Sequence, residues 1–184
     1  MRTAAVIIDN RKSERLQNII DAHMSFLPNW DLIHFDKLKI KHFQDYNNIL
    51  TSNNFWRQLH YDKILIFQHD SMILRTGIEE FLDYNYVGAP WLASAPWARK
   101  DRAGGNGGIS IRDVAQSEYL TRTKQFKLGN EDVWFTHNLP GVAPYEVCSR
   151  FSVETEFKLG TFAYHAIDKH LTRFECDKIV KQYG

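Results

Sequence analysis

The stretch that most constrains this fold is Lys63-Ile64-Leu65-Ile66-Phe67-Gln68-His69-Asp70-Ser71, where an unbroken apolar run stops abruptly in polar residues and a carboxylate. Four successive bulky apolar residues without polar alternation leave neither strand face for water, so Ile64 to Phe67 read as a strand inside a mostly parallel sheet covered on both sides. In open sheets of that kind the ligand crevice lies outside the carboxyl ends of the strands. Gln68, His69, Asp70 and Ser71 occupy that end. Asp70 is therefore the first candidate for chemistry, as a ligand to a metal or a hydroxyl. Asp and Ser are equally at home in a turn or a helix cap, and taken alone these residues favour that plainer use.

The rest of the chain supplies partners for such a strand. Ala4 to Ile8 repeats the buried-strand pattern and also ends in polar residues, Asp9-Asn10-Arg11. Leu16, Ile19, Ile20, His23, Met24 and Leu27 follow at helical spacing, with Ser13 and Glu14 to start the helix and Pro28 to stop it. Trp30 to Phe35 then alternates as a strand, which makes a βαβ beginning. Between Asp36 and Asp62 the periodicity loosens, and only Phe55 to Leu59 reads as a short helix. Arg75 to Leu82 is expected as a short helix and Asn85 to Val87 as a strand running into Gly88-Ala89-Pro90-Trp91. Ile109 to Arg112 is expected as a strand, Asp113 to Leu120 as a helix, Tyr145 to Glu154 as a strand, and Leu171 to Gly184 as a peripheral helix. With 184 residues the whole chain, 1–184, fits one α/β domain, an α/β/α sandwich around a mixed, mostly parallel sheet.

Composition narrows the function. Hydrophobic residues at 43% and aromatics at 14% exclude a disordered chain, and a net charge of +1 provides no global field to recruit nucleic acid or anionic lipid. No run approaches the roughly 20 apolar residues of a membrane span, and the apolar start is too short for a signal peptide. The expectation is a cytoplasmic protein, with peripheral attachment to a membrane compatible with it. Cys148 and Cys176 are the only cysteines, without a Cys-x-x-Cys pair, so no zinc site is expected.

Four further segments carry candidate chemistry. Ser94 to Gly105 mixes small residues with Arg99, Lys100 and Arg102, as a loop closing over a ligand or a solvated connector would. Gly104-Gly105-Asn106-Gly107-Gly108 precedes a strand and matches neither a phosphate loop nor a dinucleotide fingerprint. It suits close approach of main chain and an Asn amide to a hydroxyl-rich ligand, or an ordinary hairpin turn. Asn130-Glu131-Asp132 stands before an apolar helical pattern. There the acids complement the helix dipole, or one of them projects into the crevice as a general base. Gly160 to Ala166 adds His165 among aromatics.

Taken in order, Ile66 to Ser71, Tyr86 to Trp91, Gly105 to Arg112, Asn130 to Val133, Phe151 to Glu154, and Gly160 with His165 form a series. That series resembles a bacterial domain family of largely uncharacterised proteins grouped with the GT-A nucleotide-sugar glycosyltransferases. The resemblance implies a GT-A-like fold, with residues 1–90 as the nucleotide-binding half, 91–170 as the donor-sugar and acceptor half, and 171–184 as a tail. It implies transfer of a sugar from a nucleotide-sugar donor, UDP-linked, to a glycan or other hydroxyl acceptor, such as a growing surface polysaccharide. Asp70 falls at the last carboxylate of an Asp-x-Asp-like motif whose earlier position is Gln68, and His165 matches a downstream ligand, so Mn²⁺ or Mg²⁺ is implied with Asp70 and His165 as its ligands. Asp132 matches the catalytic base of inverting families, with Glu131 in reserve. Asp9, Gln68, Asp70, Trp91, Arg102, Gly105, Asn106, Gly107 and Gly108 are implied on the donor side. Two other readings stand beside this one. The first is a sugar-nucleotide or glycan-binding module without catalysis, which Gln68 favours. The second is a metal-dependent hydrolase built on Asp70, Asp132 and His165.

Overall fold

Ile64 to Phe67 are at most 1% exposed, and their strand is the centre of a five-stranded sheet. The computed structural model describes residues 1–181. In chain order the elements are β1 (Thr3–Ile8), α1 (Glu14–Ser25), β2 (Asp31–Phe35), α2 (Phe43–Leu50), α3 (Asn53–Arg57), β3 (Lys63–Phe67), β4 (Ser71–Ile73), β5 (Tyr86–Ala89), β6 (Asn106–Asp113), α4 (Val114–Thr123), α5 (Glu131–Asn138), α6 (Tyr145–Phe151), β7 (Ser152–Val153), β8 (Ala163–His165) and α7 (Arg173–Lys181). The main sheet has the order β2-β1-β3-β6-β5. β1 pairs parallel with β2 and β3, whereas β6 is antiparallel to both β3 and β5. A second, three-stranded sheet has the order β4-β8-β7.

Alternation along the central strands sends side chains into two cores. Ala5, Ile7, Leu65, Phe67, Ile109 and Ile111 face one side, where Leu16 and Ile20 of α1 and Val147, Cys148 and Phe151 of α6 cover them. Ala4, Val6, Ile8, Ile64, Ile66 and Tyr86 face the other, under Leu50 of α2, Phe55 and Trp56 of α3, Val114 and Leu120 of α4, and Phe135 of α5. Both faces of β1 and β3 are thus dry, as their unbroken apolar sequences require.

Three sequence expectations are corrected. Tyr145 to Glu154 is not one strand: Tyr145–Phe151 is helical behind Pro144, and only Ser152–Val153 is extended. Val147, Cys148 and Phe151 lie on one helical face in the first core, and that burial overrides the local alternation of polar and apolar residues. The loosened stretch after Asp36 contains α2, whose first turn is held by Asp45 Oδ2 accepting from the Lys41 and His42 amides at 2.8 and 3.0 Å. The segment Arg75 to Leu82 supplies only a 3-10 turn, Ile78–Phe81. The C-terminal helix is present as α7, while the part of that expectation on residues 182–184 lies outside the described residues.

His23 of α1 shows how the first core constrains ionisation. It is 0% exposed and stacks on Phe67 with centroids 4.2 Å apart, and its Nδ1 donates to the Ile19 carbonyl at 2.8 Å. Burial pushes its pKa down from 6.5 to about 4, which the carbonyl bond only partly offsets. Between these values the unfolded chain binds the proton and the folded one does not, so stability is complete above pH 6.5 and falls as pH drops toward 4. The expected loss attributable to this one group between pH 7 and pH 4 is about 3 kcal/mol. Urea unfolding across that range should therefore show a shallower pH dependence for His23→Phe than for the parent, and parallel curves for the two would refute the assignment.

Candidate functional site

At the carboxyl ends of β1 and β3 the sheet opens into a cleft of about 430 Å³. Its lining comes from Asp9 and Arg11 after β1, Phe43, Tyr46 and Asn47 of α2, Gln68 and His69 after β3, Asn106, Gly107 and Gly108 of β6, Asn130, Glu131 and Asp132 at the start of α5, and His165. Asp70 lies behind His165 through the small sheet: Ser71 pairs with His165 across β4 and β8, and the Ala166 amide donates to the Asp70 carbonyl at 2.8 Å.

The glycines of β6 make this convergence possible. A Cβ on Gly108 would lie 2.2 Å from the His165 ring, and one on Gly107 would lie 2.6 Å from Glu131 Oε1 and 2.7 Å from Arg112 Nη2. Side chains are excluded at both positions by the very groups that line the cleft. Gly105 has a different duty, because its φ of +140° and a Cβ position 1.9 Å from the Ala89 carbonyl belong to the bulge between β5 and β6, outside the cleft.

Asp132 sits in the first turn of α5 and is 8% exposed. Its Oδ2 accepts from the Gly107 amide at 3.0 Å and its Oδ1 from its neighbour Val133 at 2.7 Å. Burial pushes its pKa up, the adjacent Glu131 charge adds to this, and the two amides pull it partly back, to about 7. Glu131 is engaged elsewhere. Both of its carboxylate oxygens accept from Arg112, at 2.9 Å from Nη2 in one case, and the guanidinium is itself 0% exposed between the rings of Tyr86 and Phe135.

His165 lies between two carboxylates. Its Nδ1 is 3.2 Å from Glu154 Oε1, and its Nε2 faces Asp70 Oδ1 at 3.3 Å. Burial opposes charge on the ring, but the two acids outweigh it and push its pKa up to about 9. Asp70 is held well below the usual carboxylate range: burial raises it, while His165 and Lys169, whose Nζ donates to Oδ2 at 2.6 Å, lower it further. Asp70 Oδ1 and His165 Nε2 are buried without an aligned hydrogen bond. A divalent ion could take these two atoms as donors only by displacing the proton that the His165 ring holds toward Asp70. Among the described residues no group of three or more His, Cys, Asp or Glu could hold a metal ion.

Of the residues singled out from sequence, the cleft thus gathers Asp9, Gln68, Asn106, Gly107, Gly108, Glu131, Asp132 and His165, with Asp70 behind the last. Trp91, Arg102 and Gly105 are not among its lining. The Trp91 carbonyl accepts from Arg102 Nη2 at 2.8 Å, and the Arg102 guanidinium pairs with Glu156 over the Tyr145 ring. Arg99 is likewise taken, by Asp101 and the Thr136 carbonyl. Sequence reasoning gave no role to Arg11, which pairs with Asp9, to Tyr46, whose buried hydroxyl faces Gln68, or to Glu154. Arg11 follows directly on the polar end of β1 and was open to the same crevice rule that pointed to Asp9. Tyr46 carried no such signal.

Several solved structures are similar to the chain. The apo-form glycosyltransferase GlyE of Streptococcus pneumoniae TIGR4 aligns with 100% of this chain at 10% identity and a TM-score of 0.56, the match covering 60% of the length of that protein. A glycosyltransferase involved in glycosylation of the major capsid of PBCV-1 aligns over 97% of this chain and 99% of its own, at 10% identity and a TM-score of 0.51. The galactosyltransferase LgtC, solved with donor and acceptor sugar analogs, aligns over 89% and 86%, at 12% identity and a TM-score of 0.52. At such identities the likeness establishes the fold, which is that of the GT-A glycosyltransferases. No curated protein matches the chain. The family described as "Protein of unknown function (DUF5672)" matches residues 29–167.

Proposed function

The chain belongs to the DUF5672 family, and from the chemistry of its cleft we propose that it is a glycosyltransferase moving a sugar from a nucleotide-sugar donor, UDP-linked, to a hydroxyl of a glycan. The observation that carries this reading is a cleft that holds a carboxylate whose pKa is pushed to about 7 together with the His165 ring, which is ion-paired to Asp70 behind it. The first suits removal of a proton from an attacking hydroxyl near neutral pH, and the second suits the charge of a departing diphosphate.

In this mechanism Asp132, oriented by the Gly107 amide, takes the acceptor proton as the acceptor oxygen attacks the anomeric carbon from the face opposite the leaving group, inverting its configuration. The main chain of Gly107 and Gly108 and the amides of Asn106 and Gln68 hold the donor. Arg11, on the cleft wall and ion-paired with Asp9, would exchange that carboxylate for a phosphate oxygen of the donor. Asp70 and His165 would hold Mn²⁺ or Mg²⁺, which supplies Lewis-acid neutralisation of the leaving group when bound. Residues 1–90 form the nucleotide half of this arrangement and 91–170 the sugar and acceptor half. Among the described residues no helix is long and apolar enough to cross a membrane.

The test is a thermal-shift titration with nucleotides and nucleotide sugars, with and without Mn²⁺. A ligand that binds only the folded state stabilises it by about 2.7 kcal/mol at a hundred times its dissociation constant. UDP or a UDP-sugar should shift the transition in a metal-dependent manner and Asp70→Ala should remove the shift; no response to any nucleotide under either condition would overturn the donor site. A binding module without catalysis is the second reading. It is favoured by Gln68 in place of an acid and by Lys169 already occupying one oxygen of Asp70. Metal-independent nucleotide binding without turnover would select it.

A further inference from the structure

A second hollow, about 560 Å³ in volume, adjoins the cleft at Asn130 and runs along the outer side of α5. Asn130, Val133, Trp134 and His137 line it at intervals of three, four and seven residues, the spacing of a single helical stripe. Trp97 and Leu128 complete it from the flanking loops, and they are 49% and 84% exposed. The loop that brings Trp97 is fixed to α5 twice, since His137 Nε2 donates to the Trp97 carbonyl at 2.9 Å and Arg99 Nη1 donates to the Thr136 carbonyl at 2.9 Å.

We propose that this groove binds the glycan chain of the acceptor, so that the sugar residue to be extended enters the cleft past Asn130. This rests on the transfer reading of the cleft. Three features favour a carbohydrate over another occupant. Two indole side chains, one half-exposed and one half-buried, offer apolar surface for the C–H faces of sugar rings, and His137 Nδ1 and the Asn130 amide at their edges can reach ring hydroxyls. Asn130 occupies the cap position of α5 yet its side chain makes no cap hydrogen bond, although Asn there usually spends its oxygen on the helix amides. Its amide is therefore available at the junction of the two hollows. The stripe from Asn130 to His137 extends about 10 Å along the helix axis, enough for a short oligosaccharide and too little for a stable protein interface. Asp132 lies within the same helical turn as the groove's inner end, so one rigid element would carry both the proton acceptor and the acceptor platform.

Fluorine NMR on protein labelled with 5-fluorotryptophan tests this directly. The chain has five tryptophans, and Trp56 at 0% and Trp91 at 7% exposure serve as internal references. The probe is a panel of soluble hexose and N-acetylhexosamine oligosaccharides of increasing length. At least one of them should move the Trp97 and Trp134 resonances with Trp56 and Trp91 unmoved, and Trp97→Ala should weaken that binding tenfold or more. If no oligosaccharide moves them, or if they move only with protein concentration as a dimer forms, the glycan groove is refuted. The same sample titrated with UDP-sugar separates the two readings. Glycan shifts without nucleotide binding would leave the groove standing and remove the donor site, and nucleotide binding without glycan shifts would do the reverse.

Discussion

Asp132→Asn is expected to reduce sugar transfer by about 10²–10⁴-fold, the usual contribution of a positioned general base, while the fold survives. Asparagine has the same shape and keeps an oxygen for the Gly107 amide, which retains the cleft geometry that depends on that bond and gives up only the acceptor for the neighbouring Val133 amide. What it removes is the proton-accepting capacity. The stability consequence has a definite sign. The folded-state pKa of Asp132 is raised from 3.8 to about 7 by burial and by Glu131, so its contribution to stability is complete below pH 3.8 and is lost as pH rises through 7. An asparagine does not ionise, so the variant should be at least as stable as the parent at pH 8, and the difference should vanish at pH 4. For the parent enzyme kcat/KM should rise with pH and level off above about 7, where the base is unprotonated. Transfer and denaturation measured on one preparation check both halves: a variant that unfolds at pH 8 would make Asp132 structural, and a variant that folds and turns over normally would remove it as the base.

The strands around this residue were legible because burial on both faces leaves a one-dimensional mark, an unbroken apolar run ending in polar residues, as at Ile64 to Asp70 and Ala4 to Asp9. The start of α5 was legible for a similar reason, since Asn130-Glu131-Asp132 is local helix-terminus chemistry. What sequence could not divide was the labour between the two acids. The difference between them in the structure comes from Arg112, nineteen residues away on β6, which pairs with both oxygens of Glu131, while Asp132 on the same cleft wall accepts only from main-chain amides. Lys169 reaches Asp70 across ninety-nine residues, and Glu154 reaches His165 only because β7 and β8 pair. Nothing in the spacing of those residues announces the contacts. The loop cations illustrate the opposite error: Arg99 and Arg102 read as free charge for a ligand, but acids at Asp101 and Glu156 and nearby carbonyls have claimed them. α6 was misread as a strand because a short amphipathic helix packed against a sheet shares its apolar count with an edge strand, and only the tertiary face separates the two.

Glu131→Ala is expected to destabilise the protein by about 3–5 kcal/mol, the range found when one partner of a buried ion pair is removed. Arg112 has no route to water: it is fully buried, held at Nε by Ser110 Oγ at 3.0 Å, and enclosed by Tyr86 and Phe135. Without Glu131 its charge stays inside the second core uncompensated, and against a total stability of about 5–15 kcal/mol that loss is a large fraction. The double variant Arg112→Leu with Glu131→Leu distinguishes charge from packing. Removing both charges should recover most of the stability, since a buried pair rarely outweighs a well-packed apolar replacement. The recovered fold should still be impaired in the cleft. Gly107 packs against Glu131 Oε1 and Arg112 Nη2, so losing the pair removes the wall that fixes the main chain donating to Asp132. In the double variant the Glu131 charge that raises the Asp132 pKa goes together with the smaller, opposing effect of Arg112, so the rise of kcat/KM shifts to lower pH by less than removing Glu131 alone would shift it. Denaturant midpoints for the single and double variants, together with the pH profile of the double variant, measure these effects separately. If Glu131→Ala costs less than about 1 kcal/mol, as surface substitutions do, the pair is not the buried anchor described above.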